Sequence, residues 1–79
     1  MNNKLKIYKY LKEVLIDSQC SLDLLVNNFS FTIEPAENKL QIWIDGKIAY
    51  LFNSFNEFLN DFIIDGKPLI EQLDFIEFL

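Results

Sequence analysis

Histidine and arginine are both absent from this 79-residue chain, and cysteine occurs once. Each shortage removes a class of chemistry. Without histidine there is no imidazole base for a catalytic triad and no imidazole ligand for a metal. One thiol, Cys20, builds neither a thiolate zinc site nor an internal disulfide framework, and it fits a reducing compartment such as the cytoplasm. Its simplest role is that of a small buried hydrophobe. Without arginine the chain lacks the planar forks that grip phosphate and base edges, which disfavours direct nucleic-acid binding. Glycine and proline occur twice each, and both glycines follow an aspartate, so no glycine-rich loop is present to cradle a phosphate. No apolar run approaches the ~18 residues that cross a bilayer. The start, Met-Asn-Asn-Lys, reads as the opening of a helix and not as a secretory signal. Without such a signal the glycosylation-type triplet Asn28-Phe29-Ser30 carries no meaning.

What is present is core material. Hydrophobic residues make up 51% of the chain and aromatics 15%, too many for disorder and enough for one small core. The expectation is a single domain over residues 1–79. Abundant Asn, Ile, Lys and Phe share A/T-rich codons, a composition that fits a bacterial or phage genome. Charge is uneven: residues 1–13 carry +3, residues 14–53 carry −3 and residues 54–79 carry −5, which gives the net −5. Lys4, Lys6, Lys9 and Lys12 read as the solvated face of a helix, with no aromatics interleaved for base stacking.

The segment Leu40 to Phe52 is the most readable. Asp45-Gly46 is a two-residue turn of a β-hairpin, so Ile44 pairs with Lys47, Trp43 with Ile48, Ile42 with Ala49, Gln41 with Tyr50 and Leu40 with Leu51. That register puts Leu40, Ile42, Ile44, Ala49 and Leu51 on one side. Trp43, Ile48, Tyr50 and Phe52 fall on the other, beside Gln41 and Thr32. Phe29 to Glu34 alternates as a third strand. A four-residue turn, Pro35 to Asn38, pairs Glu34 with Lys39, Ile33 with Leu40 and Phe31 with Ile42. Phe29, Phe31 and Ile33 then land on the core side and Ser30, Thr32 and Glu34 on the other, so both turns agree on which face is inside.

Helices flank this meander. Ile7, Tyr8, Leu11, Val14 and Leu15 form one stripe of a first helix that fades near Ser18 to Cys20. Ser21 to Asn28 reads either as a short helical turn or as a buried crossing. Ser54 and Glu57 make a capping box for a helix with Phe55, Phe58, Leu59 and Phe62 on its inner face. Asp65 to Pro68 breaks the chain, and Pro68 opens a second helix lined by Leu69, Leu73 and Ile76. The expected fold is α+β: a three-stranded antiparallel β-meander with an N-terminal helix and two C-terminal helices.

The carboxylate pairs at helical spacing, Glu57/Asp61 and Glu71/Asp74, lie on polar faces, where solvation explains them better than catalysis. No acids alternate as a calcium loop requires. The expectation is therefore no enzyme, cofactor, metal or small-molecule substrate, but a protein partner. Two patches qualify. One is Trp43, Ile48, Tyr50 and Phe52, unless the first helix or Ser21–Asn28 covers it. The other is Phe75, Phe78 and Leu79 among Glu71, Asp74 and Glu77. The outer strands, 29–34 and 47–52, also offer free edges.

The order helix–strand–strand–strand–helix–helix in a small acidic chain resembles the compact phage-encoded anti-CRISPR proteins that block a type II CRISPR nuclease. In that family acidic side chains occupy the basic groove that receives DNA. The resemblance implies that role here for Glu57, Asp61, Asp65, Glu71, Asp74 and Glu77, while the lysine-rich start departs from uniform DNA mimicry. The alternative is a homodimeric structural or accessory subunit.

Overall fold

The computed structural model describes residues 3–79; Met1 and Asn2, part of the expected helix start, lie outside the described residues. Helix α1 (Asn3–Lys12) runs on through a π-helical turn, Glu13–Asp17. Cys20, just beyond it, is exposed and not the buried hydrophobe expected. Four strands follow: β1 (Leu22–Val26), β2 (Phe29–Ala36), β3 (Lys39–Ile44) and β4 (Lys47–Phe52). Then come α2 (Phe55–Asp61), the short strands β5 (Ile63–Ile64) and β6 (Lys67–Pro68), a 3-10 segment Leu69–Phe75, and β7 (Ile76–Phe78). The main sheet has the order β4-β3-β2-β1-β7, and every neighbouring pair is antiparallel. Thus α+β with an N-terminal helix and an antiparallel sheet is observed, but with five strands in the main sheet in place of three.

Four two-residue turns organise the chain: Asn27-Asn28, Glu37-Asn38, Asp45-Gly46 and Asp65-Gly66. All eight residues have positive φ, from 49° at Asn27 to 79° at Gly66. This is the backbone that matches the twist of a tight hairpin. Asn and Asp tolerate it because their short side chains bond locally. Two of these turns overturn sequence expectations. Asn27-Asn28 makes Ser21–Asn28 neither helix nor crossing: Leu22 to Val26 is strand β1, so Phe29–Glu34 is an interior strand and not a free edge. Glu37-Asn38 replaces the four-residue turn, so Ala36 and not Glu34 faces Lys39, and Ile33 faces Ile42. The slip is two residues, which leaves every side chain on its expected face. Pro35 is accommodated because β1 ends opposite Ile33, so no ladder on that side needs its missing N–H.

The third correction is a β-bulge. Trp43 faces Ile48 as expected, but Ile42 then faces Tyr50, Gln41 faces Leu51 and Leu40 faces Phe52. Ala49 is the additional residue, and it turns the end of β4 over: Tyr50 and Phe52 move to the core side and Leu51 to the other. Deleting Ala49 should therefore leave the same pairs in a regular hairpin. We expect a folded protein within ~1 kcal/mol of the parent, a midpoint change under about 8 °C in thermal melting. A molten or unfolded deletion variant would contradict the bulge.

The C-terminal region also departs from expectation. The second helix is a 3-10 segment with a kink at Gln72 (φ −122°, ψ 17°), and the last residues form β7 against β1. Ser54 does cap α2, its Oγ accepting from Glu57 N–H at 3.0 Å, while Glu57 Oε1 accepts from Asn53 N–H at 3.3 Å. Helices and 3-10 segment lie on one sheet face. Leu11, Leu15, Phe58, Leu59, Phe62, Leu69 and Leu73 meet Leu24, Val26, Phe31, Ile33, Leu40, Ile42, Phe52 and Ile76 there, all buried. Gln72, 3% exposed, ties this layer together. Its Nε2 donates to the carbonyls of Ile64 (2.8 Å) and Lys67 (3.0 Å), and its Oε1 accepts from Asn27 Nδ2 (3.0 Å). Gln72→Ala should cost about 2 kcal/mol, because it strands partners that folding has desolvated. A thermal midpoint lower by roughly 8–16 °C would show it; an unchanged midpoint would refute the tether.

Candidate functional site: the open sheet face

The face opposite the helices is uncovered. Alternation places Asp23 and Leu25 of β1, Ser30, Thr32 and Glu34 of β2, Gln41 and Trp43 of β3, Ile48 and Leu51 of β4 and Glu77 of β7 on it, and none of them is buried. Ile48 is 52% exposed and Leu51 50%. Neither α1 nor Ser21–Asn28 folds over Trp43. The sheet seats all its helices on the other side, because Leu24, Val26, Phe31, Ile33, Leu40 and Ile42 already form a continuous apolar face there.

Trp43 sits mid-sheet between Thr32 and Ile48. Its indole N–H is buried without an acceptor among the described residues, while the residue as a whole stays partly exposed. The exposed part of the side chain is therefore ring carbon. Beside it lies a depression of about 520 Å³ lined by Asp23, Ser30, Thr32, Glu34, Trp43, Asp45, Gly46 and Leu79. Thr32 Oγ1 donates to Asp23 Oδ1 at 2.6 Å, which holds that carboxylate across the strand pair. An aromatic platform ringed by carboxylates suits an aliphatic stem that ends in a cation: the stem lies on the ring and the charge reaches the oxygens.

Of the residues expected to bind a partner, the structure keeps Trp43, Ile48 and Glu77 on this face and removes Tyr50 and Phe52 from it. Phe52 is buried, and Tyr50, though 48% exposed, lies against the helical layer with its ring 5.3 Å from that of Phe62. The C-terminal patch is likewise divided by the alternation of β7. Phe78 turns to the helical side, edge-on to Tyr10 at 5.0 Å, whereas Glu77 and Leu79 turn to the open side. Phe75, 59% exposed, ends the 3-10 segment. Glu57 and Asp61 belong to α2, Asp65 to the β5–β6 turn, and Glu71 and Asp74 to the 3-10 segment. They sit in the helical layer and do not join Glu77. The alternation of Phe29 to Glu34 already put Glu34 on the outer face; Asp23, Asp45 and Leu51 join it only in the fold. The signal for Asp23 was the strand Leu22–Val26 itself, polar at one position and closed by Asn27-Asn28.

Among the described residues no group of three or more His, Cys, Asp or Glu side chains is placed to hold a metal ion. No helix of the described residues is long and apolar enough to cross a membrane. No family model, curated protein or solved structure matches this chain.

Proposed function

We propose that this chain is a non-catalytic protein-binding module whose open sheet face receives a basic surface of its partner. The observation that carries the reading is the Trp43 platform, uncovered and bordered by Asp23, Glu34 and Asp45. A lysine or arginine side chain of the partner enters the depression, and Ile48 and Leu51 supply apolar contact at its rim. Inhibition of a nucleic-acid enzyme through its basic groove, as the anti-CRISPR resemblance implies, is one form of this activity. In that form the acids in contact would be those of the sheet face and not the set on α2 and the 3-10 segment.

The test compares two charge reversals in affinity capture from cell extract. Glu34→Lys/Glu77→Lys alters the sheet face, and Asp61→Lys/Glu71→Lys alters the helical layer; all four residues are exposed. A partner held by the parent and by the helical-layer variant, lost by the sheet-face variant and released by salt, supports the reading. Loss confined to the helical-layer variant would overturn it and favour the acids of α2 and the 3-10 segment.

A further inference from the structure

Strand β4 is one of the two edges of the main sheet, and its outer side has no neighbouring strand among the described residues. An exposed edge is a template for another strand unless something blocks it. The other edge, β7, spans three residues and carries Glu77. β4 spans six residues, contains no acid in a chain of net charge −5, and exposes Ile48, Tyr50 and Leu51 by about half each.

We propose that β4 pairs antiparallel with β4 of a second copy, in the register that sets Ile48 opposite Leu51, joining two sheets into one of ten strands. Three features select this occupant and this register. The first is backbone polarity. The two-residue turn makes Ile44 and Lys47 a hydrogen-bonded pair. Ile48, opposite Trp43, then turns its N–H and C=O outward, and the alternation does the same for Leu51 opposite Gln41. The second is side-chain face. In a regular strand Ile48 and Leu51 would point to opposite sides, but the extra residue Ala49 brings both to the open face. A two-fold pairing of 48 with 51 therefore matches bonding groups and faces together, twice over. The third is charge. Lys47 falls opposite Phe52 of the second copy, at the strand end where Glu57 accepts from Asn53 N–H, so the only charged residue of β4 meets a carboxylate and not its like. The assembly joins the two open faces edge to edge, with a four-residue apolar strip between the two Trp43 platforms. It stands independently of what binds those platforms.

Light scattering behind size exclusion, from about 10 μM to about 1 mM protein, reads the mass. The parent should rise from 9.4 kDa toward twice that value. Ile48→Lys and Leu51→Glu, each at a half-exposed site, should both stay at 9.4 kDa while folded by circular dichroism. Mixed in equal amounts, these two variants should regain the doubled mass. The introduced lysine of one then faces the introduced glutamate of the other, and the second pair is native. Hydrogen exchange of the parent gives a reading without substitution: the Ile48 and Leu51 amides should slow with concentration. A parent monomeric throughout the range, or a dimer that survives both single variants, overturns the proposal. So does a mixture that fails to reassemble, or amides indifferent to concentration.

Discussion

Replacing Phe62 with alanine is expected to remove most of the stability of this domain. Its ring is 2% exposed and is the meeting point of five others. Phe31 meets it edge-on at 4.9 Å, with Tyr50 at 5.3 Å, Phe52 at 5.8 Å, Phe58 at 5.9 Å and Phe29 at 6.5 Å. These partners come from β2, β4 and α2, so the cavity would open between the sheet and the helical layer. Phe-to-Ala changes in cores cost roughly 3–5 kcal/mol. A chain of 79 residues holds on the order of 4–12 kcal/mol in total. The backbone bond from Leu69 N–H to the Phe62 carbonyl (2.9 Å) survives the substitution, so the loss isolates packing. Urea unfolding followed by circular dichroism should show the midpoint collapse. A loss under about 1 kcal/mol would mean the ring cluster is not the centre of the core.

Trp43→Ala should do the reverse: weaken partner binding by roughly 30-fold or more, the range of an aromatic hot spot, with a far smaller loss of stability than Phe62→Ala. The indole rests on the sheet without buried partners for its N–H, so truncation removes contact area and leaves no protein acceptor stranded. Trp43→Phe separates the contributions. It keeps the apolar platform and discards an N–H whose burial without an acceptor costs about 1–3 kcal/mol, so it should match or exceed the parent in stability. Binding curves against the captured partner and urea titrations of all three proteins check both halves. An unfolded Trp43→Ala variant would place Trp43 in the core and remove the face as a site.

How far the chain discloses this architecture depends on which signals survive local irregularity. Asp45-Gly46 was legible because glycine after aspartate has few other uses between alternating strands. Glu37-Asn38 was not, because glutamate seldom adopts positive φ and Pro35 beside it reads as turn chemistry. The resulting register error was two residues, and a two-residue slip conserves faces, so Phe31, Ile33, Leu40 and Ile42 were assigned inward correctly. The bulge at Ala49 left no mark in the pattern Ile48, Tyr50, Phe52, which alternates as a regular strand would. That one residue misplaced half of the candidate patch. β1 was obscured by Leu24-Leu25-Val26, an apolar run that fits helix and buried strand equally. β7 was hidden because Ile76 continues the helical spacing of Leu69 and Leu73. Among the acids of the open face, Glu34 followed from the alternation of its strand, but Asp23 was illegible: it is a surface residue of no consequence until β1 lies beside β2 and Thr32.

As proposed above, the open face, and no other acidic surface of the described residues, takes a basic ligand. Nuclear magnetic resonance titration of the labelled protein with a hexa-arginine peptide, at low and at physiological salt, tests it most directly. Trp43 is the single tryptophan, so its indole N–H gives one unambiguous resonance. Saturable shifts are expected at that indole and at the amides of Asp23, Thr32, Glu34 and Asp45, weakened by salt. Shifts confined to Glu57, Asp61, Glu71 and Asp74, with the Trp43 indole unmoved at saturation, would contradict it.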